Sequence, residues 1–123
     1  MKIRKKKTVL IVDDDAKIRT LLKEILDPGK FKVLEAPDGR EALDLIHKEP
    51  VDLLITDRAM PRMDGLELLR TLREEERDIP SLVISAYGDD EIWGVAIGLG
   101  AEDYILKPFS TESVMRIVKK KLA

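Results

Sequence analysis

The sequence predicts an α/β fold, a doubly wound sheet of five parallel strands flanked by five helices. Five short apolar runs alternate with five helical patterns, the order that builds a parallel sheet covered on both faces. The central runs are apolar at successive positions rather than at every second one, which fits strands buried on both sides. No linker, repeat or low-complexity stretch interrupts the alternation, so the 123 residues form one domain with enough length for its own core.

Residues 1–7, Met-Lys-Ile-Arg-Lys-Lys-Lys, read as a solvated basic tail, and the domain is expected over 8–123. The first strand is 8–12, β-branched and bounded by charge on both sides. From 16 to 26 the pattern turns helical, with Ile18, Leu21, Leu22 and Ile25 on one stripe, and Asp27-Pro28-Gly29 ends it. The second strand, 31–36, carries some polar alternation and suits an edge. Asp38 and Glu41 form a capping box for a helix running to about Lys48. A third strand over 51–56 leads to Asp57, and Asp64 with Glu67 caps the next helix, whose stripe is Leu66, Leu69 and Leu72.

Pro80 opens a fourth strand that stops at Ser85. Residues 89–99 read as a weak helix, since Gly94 and Gly98 each cost about 1 kcal/mol against Ala in a helix interior. Its core stripe is Ile92, Val95, Ala96 and Leu99, with Trp93 and Ile97 on a neighbouring face. Gly100-Ala101 is a turn, 104–106 the fifth strand, and Ser110 or Thr111 the cap of a last helix. That helix buries Val114, Ile117 and Val118 and ends on Lys119–Lys121, which suit the negative pole of its dipole.

Composition narrows the function classes. A net charge of −2 and a pI near 5.5 give no reason to expect direct nucleic-acid binding by this domain. No apolar run approaches the ~18 residues of a membrane span, and the run after the basic start is too short for an export signal. A soluble cytoplasmic domain without membrane partners is expected. Cysteine is absent, so disulfide and thiol chemistry are excluded. Charged residues make up 37% and the chain has neither Asn nor Gln, a bias that points to a thermophilic source.

The chemistry gathers at the strand ends. Strand one runs into Asp13-Asp14-Asp15, strand three into Asp57, strand four into Ser85 and strand five into Lys107. In an open α/β sheet these carboxyl ends face one crevice. Carboxylates so close repel unless a cation neutralises them, and an all-oxygen donor set selects a hard ion such as Mg2+ (or Mn2+). An ammonium and a hydroxyl opposite could hold the remaining oxygens of a phosphoryl group, whose transfer depends on positioning and charge neutralisation. A carboxylate can itself be the nucleophile and form an aspartyl-phosphate.

Val12-Asp13-Asp14, Asp57 followed by Met60-Pro61-x-x-Asp64-Gly65, Ser85-Ala86 and Lys107-Pro108-Phe109 together resemble the receiver domain of two-component response regulators. The resemblance spans essentially the whole chain in order. It implies a flavodoxin-like sheet of order 2-1-3-4-5. It also implies a signalling switch rather than an enzyme, one that catalyses only its own phosphorylation and dephosphorylation. Asp57 would be the phosphoacceptor, served by a sensor histidine kinase or phosphotransfer protein. Asp14, Asp57 and the Ala59 carbonyl would hold Mg2+ with Asp13 in support. Lys107, across a cis bond to Pro108, and Ser85 would take phosphoryl oxygens. Ser85 and Tyr104 would be the switch residues, biasing a two-state element. Ala59 and Tyr87 would flank the route of the hydrolytic water, the large Tyr87 lengthening the acyl phosphate's life. Trp93, Ile97 and Tyr104 would lie on an output face of helix four, strand five and helix five. A downstream effector domain or protein, or a second receiver in a phosphorylation-dependent homodimer, would dock there. Trp93 and Ile97 serve equally as a covered shoulder of the core.

Two other readings stand beside this one. Asp13-Asp14-Asp15 contains the Asp-x-Asp of haloacid-dehalogenase-like phosphatases, in which Asp13 would be the nucleophile and Asp57 idle. A receiver-like adaptor that binds without phosphorylation is the other. His47 lies near the end of the second helix and is given no role.

Overall fold

The structure is a computed structural model that describes residues 6–26, 29–86 and 90–122. Ten elements alternate without exception: β1 Lys7–Val12, α1 Ala16–Ile25, β2 Phe31–Ala36, α2 Gly39–Lys48, β3 Leu53–Asp57, α3 Gly65–Glu74, β4 Ser81–Ser85, α4 Asp90–Gly98, β5 Ala101–Leu106 and α5 Thr111–Leu122. All neighbouring strands pair in parallel, in the order β2-β1-β3-β4-β5, with β2 at an edge.

Each strand supplies both faces, because side chains alternate sides along it. Leu10, Val12, Leu54, Val83 and Tyr104 pack with α2, α3 and α4. Val9, Ile11, Leu53, Ile55, Leu82, Ile84 and Ile105 pack with α1 and α5. This two-sided burial explains the unbroken apolar runs of β1, β3 and β4.

The caps follow the sequence signals. Asp15, Asp38 and Asp64 each accept from a backbone N–H in the first turn of α1, α2 and α3, and Ser110 Oγ accepts from the Ser113 N–H at 3.0 Å. The reciprocal half of the box at α2 is replaced, since the Glu41 carboxylate turns to Arg62.

Several boundaries and faces differ from the sequence reading. β1 takes in Lys7, a residue expected in the basic tail, and Lys7 pairs in register with Phe31. β3 begins at Leu53 and includes Asp57; Asp52 before it accepts instead from the Thr8 N–H at 2.7 Å. Ala101 lies in β5 rather than in the turn, paired with Ser81. Leu21 is exposed on the flank of α1, beside Pro108 and Phe109, while Leu26 completes the buried stripe with Leu22 and Ile25. Leu68 joins the α3 stripe. Val95 is exposed because, among its described side chains, α4 buries only Ala96, with Ile92 and Leu99 packed half-covered on either side. Asp27-Pro28 and Asp89 lie outside the described residues. No helix among the described residues is long and apolar enough to cross a membrane.

Candidate functional site

Strand register decides which side chains meet. Val12 aligns with Thr56, Asp57 with Ile84, and Ser85 with Leu106. One step beyond the first pair sets Asp13 beside Asp57, and one step beyond the last sets Lys107 over the end of β4. The Lys107 N–H donates to the Ser85 carbonyl at 2.8 Å, which clips β5 to β4 at the crevice. The Lys107-Pro108 peptide is cis.

Asp13 is 1% exposed and every polar group it has is engaged. Its N–H donates to the Ala36 carbonyl at 3.1 Å, its Oδ1 accepts from the Asp15 N–H at 2.9 Å, and its Oδ2 lies 3.1 Å from Lys107 Nζ. Its carbonyl accepts from Arg19 Nη1 at 2.6 Å. Asp57 is 8% exposed; its Oδ1 accepts from the Arg58 N–H at 2.9 Å and lies 3.3 Å from Lys107 Nζ. Asp14 is exposed at the mouth. One carboxylate oxygen from each of Asp13, Asp14 and Asp57 lies within 4.8 Å of the other two. That spacing lets one small cation reach all three directly or through bound water, and the all-oxygen donors suit Mg2+.

The electrostatics describe a site short of positive charge. Burial pushes the Asp13 carboxyl above the usual carboxylate range, against the pull of the Asp15 N–H and Lys107. Burial also raises Asp57, and the Asp13 charge beside it raises it further. Burial alone would lower Lys107, but its hydrogen bond to Asp13 and the two carboxylate charges outweigh that and hold the ammonium above its ordinary value. One lysine thus faces two buried carboxylates with a third, Asp14, clustered beside them, an arrangement a divalent cation would relieve.

The remaining predicted residues divide. Ser85 ends β4 at the crevice and is buried. Ala59 is exposed on the loop two residues past Asp57. Tyr104 is 7% exposed, and its ring packs against Trp93 with centroids 5.2 Å apart, while Trp93 and Ile97 are each 41% exposed. Tyr104 therefore lies beneath this face rather than on it. Tyr87 lies outside the described residues. His47, on α2, pairs with Glu75 at 2.9 Å, outside the acidic cluster.

Two supports escaped the sequence reading. Arg19 holds the Asp13 carbonyl. Arg62, in the left-handed region at φ 66°, pairs with Asp38 and Glu41, while the Gly39 N–H donates to the Met63 carbonyl at 2.9 Å. Together these contacts fasten the β3–α3 loop to the start of α2. Neither arginine forms a local motif with its partners, so only the fold reveals them.

A doubly wound sheet that gathers buried carboxylates and a lysine at its strand ends places the chain among open α/β domains with a crevice at that edge. The sequence profile described as "Response regulator receiver domain" matches residues 9–119. The chain belongs to that family of signalling switch domains. It is 42% identical over 112 residues to the response regulator GtcR of Aneurinibacillus migulanus, covering 90% of this chain and 46% of that one. It is 35% identical to sporulation initiation phosphotransferase F of Bacillus subtilis, covering 93% and 92%. Among solved structures it resembles the chemotaxis protein CheY4 of Vibrio cholerae, with TM-score 0.88 and 30% identity over 94% of this chain and 98% of that one. A response regulator of Chloroflexus aurantiacus gives TM-score 0.88 and 35% identity, covering 96% and 98%. The chain spans less than half the length of several of its curated relatives.

Proposed function

We propose that the chain is a phosphorylation switch in which Asp57 accepts a phosphoryl group from the phosphohistidine of a sensor kinase or phosphotransfer protein. The observation that carries this reading is Asp57 itself: nearly buried, 3.3 Å from Lys107, with one carboxylate oxygen each of Asp13 and Asp14 within 4.8 Å. An Asp57 carboxylate oxygen attacks phosphorus, the P–O bond forms as the P–N bond to the imidazole breaks, and the imidazole leaves with a proton. Asp13, Asp14, Asp57 and the Ala59 carbonyl would hold Mg2+, which supplies charge neutralisation at the phosphoryl oxygens. Lys107 orients a phosphoryl oxygen and the Ser85 hydroxyl receives another.

The signal then passes to α4, β5 and α5, where Tyr104 and Trp93 are in ring contact and Ile97 is exposed. An effector domain or protein, or a second copy of the chain, would read that face. The domain is cytoplasmic in this reading.

The test is intact mass after incubation with acetyl phosphate and Mg2+. The native chain gains one phosphoryl group and Asp57→Asn gains none. An adduct that survives Asp57→Asn but not Asp13→Asn would instead mark a phosphatase-type nucleophile. No adduct on the native chain with either a small donor or a phosphohistidine protein would sink the switch.

A further inference from the structure

Arg19 sits on α1 with only 17% of its side chain exposed, and its guanidinium is held at two nitrogens. Nη1 donates to the Asp13 carbonyl at 2.6 Å and Nε to Glu35 Oε1 at 2.9 Å. Glu35 stands one residue before the end of β2 and gives its other oxygen to Lys23 Nζ at 2.6 Å. We propose that Arg19 is a positioning residue of the cation site, fixing the Asp13–Asp14 peptide so that the Asp14 carboxylate is presented beside Asp13 and Asp57, with Glu35 holding Arg19 in place. This rests on the reading of the three carboxylates as a Mg2+ site.

The need for such a residue follows from Asp14. Its carboxylate makes no hydrogen bond or ion pair among the described residues, so its place is set by the backbone on either side. On the C-terminal side Asp15 is fixed as the cap of α1, its Oδ1 accepting from the Lys17 N–H at 2.9 Å. On the N-terminal side the Asp13 carbonyl shares one rigid peptide plane with the Asp14 N–H. Arg19 is the group that fixes that plane. A planar guanidinium can serve a carbonyl and a carboxylate at once in fixed directions, which an ammonium on a flexible stem does not do. Partners of this kind, one step behind the ligands, commonly govern metal affinity.

The sign of the effect separates positioning from simple charge. A guanidinium beside a cation site repels the cation, so by Coulomb's law alone its removal would tighten Mg2+ binding. Positioning predicts the reverse.

The experiment is calorimetric titration of the unphosphorylated chain with Mg2+, run on the native protein and on Arg19→Met, Arg19→Lys, Glu35→Gln and Lys23→Ala. Thermal unfolding without Mg2+ establishes that each is folded at the titration temperature. Arg19→Met is expected to bind Mg2+ about tenfold more weakly, with Arg19→Lys close to it although the charge is kept. Glu35→Gln weakens binding in the same direction, the Arg19→Met/Glu35→Gln pair is no weaker than Arg19→Met alone, and Lys23→Ala stays within about twofold of native. Unchanged or tighter binding in Arg19→Met overturns the inference while leaving the cation site standing. If Arg19→Met does not fold, Glu35→Gln decides, and native affinity there overturns it. A native chain that takes up no Mg2+ overturns the underlying site and the inference with it.

Discussion

A Cβ built on Gly65 would lie 2.2 Å from the Asp57 carbonyl oxygen, a distance no real pair of atoms tolerates. The first residue of α3 is pressed onto the end of β3, and the Gly65 N–H donates to the Arg58 carbonyl at 2.9 Å to hold it there. Neither side can retreat, because β3 is the buried centre of the sheet. Gly65→Ala should cost about 3 kcal/mol or more, read as a lower urea midpoint at unchanged slope. Asp38 makes a different demand, for charge. It is buried, which would raise its pKa, but the Glu41 N–H and the Arg62 guanidinium prevail and hold it below the usual 3.8. A depressed carboxyl adds stability that is complete above 3.8 and disappears as the pH falls through the depressed value. Asn can still cap α2, so Asp38→Asn keeps the cap while removing the charge and the oxygen that accepts from Arg62. Its Tm should lie a few degrees below native at neutral pH, and the gap should close as the pH drops below the ordinary carboxylate range. A gap that stays constant down to strong acid would refute the charge account. These residues also mark what the sequence discloses. Asp57, Ser85 and Lys107 are legible because each ends a run whose direction the pattern already gives. Arg19 and Arg62 are not, since the partners of Arg19 stand 6 and 16 residues away, those of Arg62 21 and 24, and no local motif links them.

At the scale of elements, α4 is the least committed piece of the fold. Among its described side chains it buries one fully, Ala96, and its Gly98 carbonyl is caught by Arg73 of α3. Gly94 sits in its interior with nothing within 4 Å of where a Cβ would project. Gly94→Ala therefore meets no steric penalty and restricts the unfolded chain, which should raise stability by about 1 kcal/mol. A thermal melt reads it directly, and an unchanged or lower Tm would mean that α4 contributes nothing to the cooperative unit. The looseness of α4 was legible from its glycines, but its facing was not. Val95 falls at helical spacing from Ile92, yet α4 packs thinly enough that only the Ile92–Ala96–Leu99 line is covered. The other elements read more truly because their stripes meet a wide sheet face. The strand starts at Lys7, Leu53 and Ala101 are not legible in the sequence, because their limits are set by pairing to a neighbour rather than by local composition.

Over the whole molecule, ion pairs link consecutive elements. Arg19 and Lys23 of α1 share Glu35 of β2, and Lys32 of β2 pairs with Glu49 at the end of α2. Arg77 pairs with Glu75 behind α3, to which His47 of α2 is also hydrogen-bonded, Arg62 ties the β3–α3 loop to Asp38 and Glu41, and Lys121 of α5 meets Glu102 of β5. Single exposed pairs contribute little at ambient temperature. Two of these assemblies, however, are shared networks, and the desolvation that offsets an ion pair weakens on heating. The composition had signalled this, with 37% charged residues and neither Asn nor Gln, while the pairing itself depends on which elements the fold brings side by side. The chain should accordingly unfold above about 80 °C at low salt, well beyond the band common to mesophile domains. Screening should then act mainly on the hot end of the stability curve. At 1 M salt the Debye length falls to about 3 Å, so the Tm should drop by several degrees while stability at 25 °C changes little. Melts at low and high salt, paired with urea unfolding at 25 °C, test both halves. A Tm in the ordinary mesophile band would remove the thermal argument altogether. A high Tm indifferent to salt would place the stability in the two apolar layers rather than in the ion pairs.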